Sequence, residues 1–195
     1  MFLVTFGIPF LLEIIMMANI FSSLTNNHNP QIIAGYFKFF PLIMILFAVS
    51  LFGWQWAVAT GLQKMVPANI KMKVKKFKIF FFIPVVYLVL IFTGMAIFFS
   101  GNLSNNNPPG SAFIVVFMLI FPIHLFAMFC IFYSLYFAAK TLKTAELQRE
   151  VTFSDFVGEF FLIWFFPIGV WIIQPRINKM MVAYDEKGSG LSSGT

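Results

Sequence analysis

Charge is what this chain has least of. Asp, Glu, Lys and Arg make up 10% of its 195 residues, where a soluble domain usually carries about 25%. A water-soluble fold of this length has too little polar surface to cover a sequence that is 60% hydrophobic. Composition therefore excludes that class and makes lipid the natural solvent. The single cysteine, Cys130, excludes an internal disulfide framework and a thiolate metal cluster. Arginine occurs only at Arg149 and Arg176. Without an arginine-rich face, the net charge of +6 reads as loop charge that sets topology and meets lipid headgroups, and no nucleic-acid partner is expected. His28 and His124 form no His-x-x-x-His or Glu-x-x-His pattern, so no metal site and no cofactor are expected, and His28 reads as a solvated loop residue. A Gly-rich phosphate loop, a Gly-x-Ser-x-Gly elbow and paired carboxylates in a watery segment are also missing. An intramembrane enzyme would lack its expected cluster of acids, histidines or metal ligands.

What the chain does have is long apolar runs punctuated by short polar ones. Lys64, Lys71, Lys73, Lys75, Lys76 and Lys78 crowd one stretch that contains no acid and lies between two apolar runs. Loops this basic stay on the cytoplasmic side. Spans are expected over about residues 2–21, 39–62, 79–100 and 112–139, each long enough as a helix to cross the hydrocarbon core. The uncharged, Asn-rich turns SSLTNNHNPQ (22–31) and GNLSNNNPPGSA (101–112) then lie outside, and the N-terminus lies in the cytoplasm. That N-terminus has neither a basic n-region nor a small-x-small cleavage site, so the first span is expected to be retained. The aromatic runs Phe39-Phe40, Phe80 to Phe82 and Phe165-Phe166 read as lipid-facing bulk.

The two Asn-rich turns match in order and chemistry. Ser22 to Pro30 aligns with Gly101 to Pro109, and Phe40-Pro41 corresponds to Phe121-Pro122. The pattern predicts two copies of one helical hairpin, parallel to each other. Thr152-Phe-Ser-Asp155 is a capping-box pattern that opens a further apolar segment, about residues 153–174. Its uninterrupted apolar run is short and is broken at Pro167 and Gly169, which favours a re-entrant or interfacial element, with a fifth span as the alternative. The expected fold is thus an all-α integral membrane protein: a four-helix transmembrane bundle built of two similar hairpins plus this C-terminal segment. Residues 1–187 form one transmembrane domain, and 188–195 a flexible, linker-like tail.

Few residues carry candidate chemistry. Glu13 lies near the middle of a span, where an ionisable group is costly unless paired, protonated or facing water. Counting along the helices puts His124 at similar depth, so the two are candidates for a pair that relays protons or glues the bundle. Glu159 is a second membrane-depth carboxylate if the last segment spans, and an acid on the wet side if it does not. Small loops and sparse intramembrane polar groups point to a non-catalytic subunit or interaction partner of a larger membrane complex. The alternative is a small oligomeric transporter or channel using Glu13 and His124. The expected partners are the lipid bilayer and a protein partner or a second copy of the chain. The Lys, Asn, Ile and Phe bias favours a bacterial plasma membrane.

Overall fold

The computed structural model describes residues 7–26, 30–105 and 111–192. Every element among them is helical: α1 (Ile8–Asn26), α2 (Pro30–Gly61), a short 3-10 turn (Leu62–Met65), α3 (Val74–Asn105), α4 (Ser111–Leu147), α5 (Phe153–Trp164) and α6 (Phe166–Ser192). Three stretches are long and apolar enough to cross a membrane: Met44–Met65, Val74–Gly94 and Met118–Leu147. The expected fourth span, about residues 2–21, begins outside the described residues and shares only α1 with them. The chain divides into two compact units, Met1–Trp54 and Gln55–Thr195. In the first, Met16 is buried on α1 while Leu11, Ile15, Met17 and Phe21 are exposed.

The helices outrun the apolar stretches from which they are predicted. α3 begins inside the lysine stretch, so Lys75, Lys76 and Lys78 stand on its first turns and not in a loop. Lysine is a good helix former, although positive charge near a helix N-terminus opposes the macrodipole. Ring faces offset that cost: Lys76 Nζ lies 5.3 Å from the Phe80 centroid and 5.2 Å from that of Tyr133, and Lys78 Nζ lies 5.8 Å from that of Trp56. Likewise α4 runs beyond Ala139 to Leu147 through Lys140, Lys143 and Glu146, since a polar sequence of helix formers gives the helix no reason to stop. The helices also run into the Asn-rich stretches. α1 continues to Asn26, α2 starts at Pro30, where a missing N–H costs nothing, and α3 continues to Asn105. His28 lies outside the described residues.

The second unit is built on a seam of aromatic rings. α3 packs on α4, α4 on α5 and α5 on α6, and the 3-10 turn also rests on α4. The fully buried Phe77 of α3 stacks on Phe137 of α4, with centroids 4.6 Å apart and planes at 16°. Trp56 and Phe81 close over it at 5.9 Å and 5.5 Å. Between α4 and α5, Phe156 meets Tyr136 edge-on at 5.1 Å, and Trp164 meets Phe132 at 5.1 Å. Each such pair contributes about 1 kcal/mol beyond its buried area. The aromatic runs therefore do not all face outward. Consecutive residues point about 100° apart around a helix, so Phe81 and Phe166 are buried while Phe82 and Phe165 are exposed.

The C-terminal apolar segment is a sharp helical turn-back. α5 ends at Trp164, and Phe165 takes up φ −82°, ψ 57°, close to the inverse γ-turn. Its N–H donates to the Phe161 carbonyl at 2.8 Å, and its own carbonyl accepts from Ile168 at 3.0 Å and Gly169 at 2.9 Å. Phe165 thus closes one helix and opens the next. The break expected at Pro167 and Gly169 falls instead at Phe165. Pro167 sits in the first turn of α6, where the N–H it lacks would have no helical partner. Gly169 serves close approach: a Cβ there would overlap the carbonyl of Leu162 in α5. A Cβ on Gly158, in contrast, meets nothing within 4 Å. Gly169→Ala should therefore destabilise the protein by about 2 kcal/mol or more through overpacking, whereas Gly158→Ala should be neutral or stabilising by up to about 1 kcal/mol through helix propensity. Thermal unfolding of both variants in one detergent checks the contrast.

Candidate functional site

The link from α4 to α5 is tied at every step. At the end of α4, Gln148 adopts the left-handed conformation, φ 53°, which costs a non-glycine residue about 1 kcal/mol. Its side chain offsets that cost by donating to the carbonyls of Met65, at 2.9 Å, and Ala145, at 2.6 Å. Arg149 then bonds Asp155 at 2.8 Å. The capping box of Thr152 and Asp155 is present: the carboxylate accepts from the Thr152 N–H at 2.8 Å and from its hydroxyl at 2.9 Å. The Arg149 hydrogen bond, then the Thr152 backbone and hydroxyl, hold the Asp155 carboxyl down at about 2. An anion at that place also complements the start of α5.

One turn further on, Glu159 reaches a cluster that joins three helices. Lys143 and Glu146 come from the last turns of α4, Glu159 from the middle of α5 and Arg176 from α6. Lys143 Nζ lies 3.0 Å from Glu159 Oε1 and 3.1 Å from Glu146 Oε2. Arg176 Nη2 donates to both Glu146 oxygens, at 2.7 Å and 2.9 Å, and to Glu159 Oε1 at 2.9 Å. Two cations and two carboxylates alternate, so the cluster carries no net charge. Glu159 is its most enclosed member, with 9% of its side chain exposed against 31% for Arg176. Both Glu146 oxygens and Glu159 Oε1 are thus already engaged by the Arg176 guanidinium. What the arrangement does well is fix the mutual position of α4, α5 and α6.

The remaining candidates are placed as follows. Glu13 stands on α1, with its side chain outside the described residues. His124 Nδ1 on α4 lies 2.8 Å from the Tyr87 hydroxyl on α3. Pro167 and Gly169 belong to the turn-back described above. Lys64 pairs with Asp185 near the far end of α6 at 3.8 Å and lies over the Tyr184 ring at 5.3 Å. Lys71, Lys73 and Lys75 are exposed. Among the described residues no group of three or more His, Cys, Asp or Glu side chains could hold a metal ion.

Sequence reasoning found Glu159 but missed Lys143, Glu146 and Arg176 as its partners. The signals were the three-residue spacing of Lys143 and Glu146 on one helix, and an arginine set within an apolar segment of a chain that has only one other.

The class these features define is an all-helical protein with three helices long and apolar enough to cross a membrane. No protein-family model, curated protein or solved structure matches the chain.

Removing one charge from a nearly closed cluster leaves its partners uncompensated. Glu159→Gln should lower stability by about 2 kcal/mol. The double variant Lys143→Met/Glu159→Leu keeps the Arg176–Glu146 pair and the charge balance, and should recover to within about 1 kcal/mol of the parent. Thermal unfolding of the single and double variants in the same detergent checks the order.

Proposed function

We propose that this chain is a multi-pass membrane protein acting as a non-catalytic subunit or interaction partner of a larger membrane complex. One observation carries the reading: α3 and α4 present broad apolar faces, with Val86, Val89 and Leu90 on one and Met118, Leu119 and Phe129 on the other all more than half exposed. Apolar faces of this extent suit lipid and the transmembrane helices of a partner. Several polar side chains within the spans bond back to their own helix, as Ser134 does to the Cys130 carbonyl at 2.9 Å and Thr141 to that of Phe137 at 2.9 Å. That arrangement suits a scaffold better than a polar pathway. The charges of the α4–α6 cluster likewise serve internal pairing.

In this reading the lysine stretch and the N-terminus face the cytoplasm, by the bias of basic loops. α1–α2 and α3–α4 are two copies of one hairpin, on the likeness of their Asn-rich turns. α5–α6 is a re-entrant hairpin that enters and leaves on the cytoplasmic side. Its support is that Arg176 returns to the level of Glu146, at the end of α4. The host membrane is a bacterial plasma membrane, on compositional bias. The second reading, a small oligomeric transporter or channel using Glu13 and His124, is favoured by the Tyr87–His124 hydrogen bond, which sets two polar groups within candidate spans.

The test is to solubilise the protein gently from its native membrane, without overexpression, and determine the mass and composition of the particle that holds it. The proposal expects a second protein in stoichiometric amount. A particle made of this chain alone contradicts it and favours the transporter reading.

A further inference from the structure

The outer face of α3 carries a groove of about 590 Å³, lined by Lys78, Phe82, Val86, Tyr87 and Leu90 and closed on one side by Ile123 of α4. From Lys78 to Leu90 it runs about 18 Å at 1.5 Å per residue, close to the depth of one leaflet of a 30 Å hydrocarbon core. Its walls are apolar for that whole length. The Tyr87 hydroxyl, the one polar group along it, is already engaged with His124 at 2.8 Å. At one end the chemistry changes abruptly. Lys78 stands at the mouth with its ammonium over the Trp56 ring. Lys71, Lys73 and Lys75 stand exposed on the approach to α3 and its first turn, and no acid occurs in sequence between Glu13 and Glu146. Any phosphate at this end meets positive charge that no neighbouring carboxylate on α3 neutralises.

We infer that this groove is a binding site for one anionic phospholipid, its acyl chain along Phe82, Val86 and Leu90 and its phosphate at Lys78. The charge distribution selects this occupant over an apolar partner helix, which would fill the groove but leave the lysine end without a counter-charge. Trp56 strengthens the choice, because its ring limits where the Lys78 ammonium can sit and holds it at the level where headgroups lie. The inference rests on the membrane reading of Val74–Gly94. It does not depend on a protein partner.

The test uses the full chain, purified in detergent from the membrane fraction and titrated with dioleoyl phosphatidylglycerol or dioleoyl phosphatidylcholine, with bound lipid counted by native mass spectrometry. One phosphatidylglycerol per chain should be retained, at least tenfold more tightly than phosphatidylcholine. Lys78→Gln, at an exposed position that leaves the fold intact, should weaken retention about tenfold. Lys179→Gln, exposed on α6 and outside the groove lining, should leave it near the parent value. Val86→Trp and, independently, Leu90→Trp should abolish retention while keeping the parent helix content, and excess glycerol phosphate should fail to displace the lipid. The inference is overturned by equal binding of the two lipids, by equal effects of the two lysine variants, by full retention in both tryptophan variants, or by displacement with glycerol phosphate. A chain recovered outside the membrane fraction would overturn the membrane reading itself. Loss of lipid selectivity in a membrane-borne chain would overturn the lipid site alone.

Discussion

The shared grip of Arg176 and Lys143 on Glu146 and Glu159 is the constraint on which the C-terminal half of this protein depends. An apolar exterior gives helices little reason to choose one neighbour over another when the solvent is itself apolar. Four alternating charges at contact distance remove that freedom. They require the last turns of α4, the middle of α5 and the second arm of α6 to meet at one level. Once that level is set, the chain between Glu159 and Arg176 has to rise and return within a short length. Phe165, bonded to both arms, and Gly169, which admits the Leu162 carbonyl, are the local means by which it does so.

The aromatic seam works with this clamp. Phe77, Phe137 and Trp56 hold α3, α4 and the end of α2 around a common centre, while Tyr136 and Phe156 carry the contact across to α5. Ring packing supplies area and dispersion but little direction. The ion pairs and the Gln148 bridge to Met65 supply direction. The division of labour explains how a chain with 13 basic and 7 acidic residues can specify a distinct arrangement of helices: several of its scarce charges are used inside the structure.

Much of the helical layout was legible in the sequence because it follows from apolar length and from a few local signals. The lysine stretch, the Asn-rich turns and the Thr152–Asp155 cap all mark helix ends by chemistry that acts within a few residues. Less legible was whatever depends on pairing across helices. Lys76 and Lys78 looked like loop residues because nothing local announces the rings of Tyr133 and Trp56 on other helices beneath them. The break was placed at Pro167 because proline interrupts a helix interior, yet at a helix start the same residue is harmless. His124 was matched with Glu13 by depth alone, and depth did not reveal Tyr87 as the group its ring nitrogen meets. Glu159 was recognised as unusual, but its partners lie 16 and 17 residues away in either direction along the chain, beyond the reach of any periodic pattern.

α5 and α6 form one turn-back tied by the four-charge cluster, and the central proposal is that its two arms return to the same side of the membrane. The most direct measurement places single cysteines just before α5 and on α6 beyond Arg176, Glu150→Cys and Val182→Cys, in a Cys130→Ser background. Each is labelled with a membrane-impermeant maleimide in intact and in permeabilised cells. The account predicts that both sites share one labelling pattern, protected or reactive together. Labelling of Val182→Cys from the side opposite to Glu150→Cys would mean that the segment crosses the bilayer, and would contradict it.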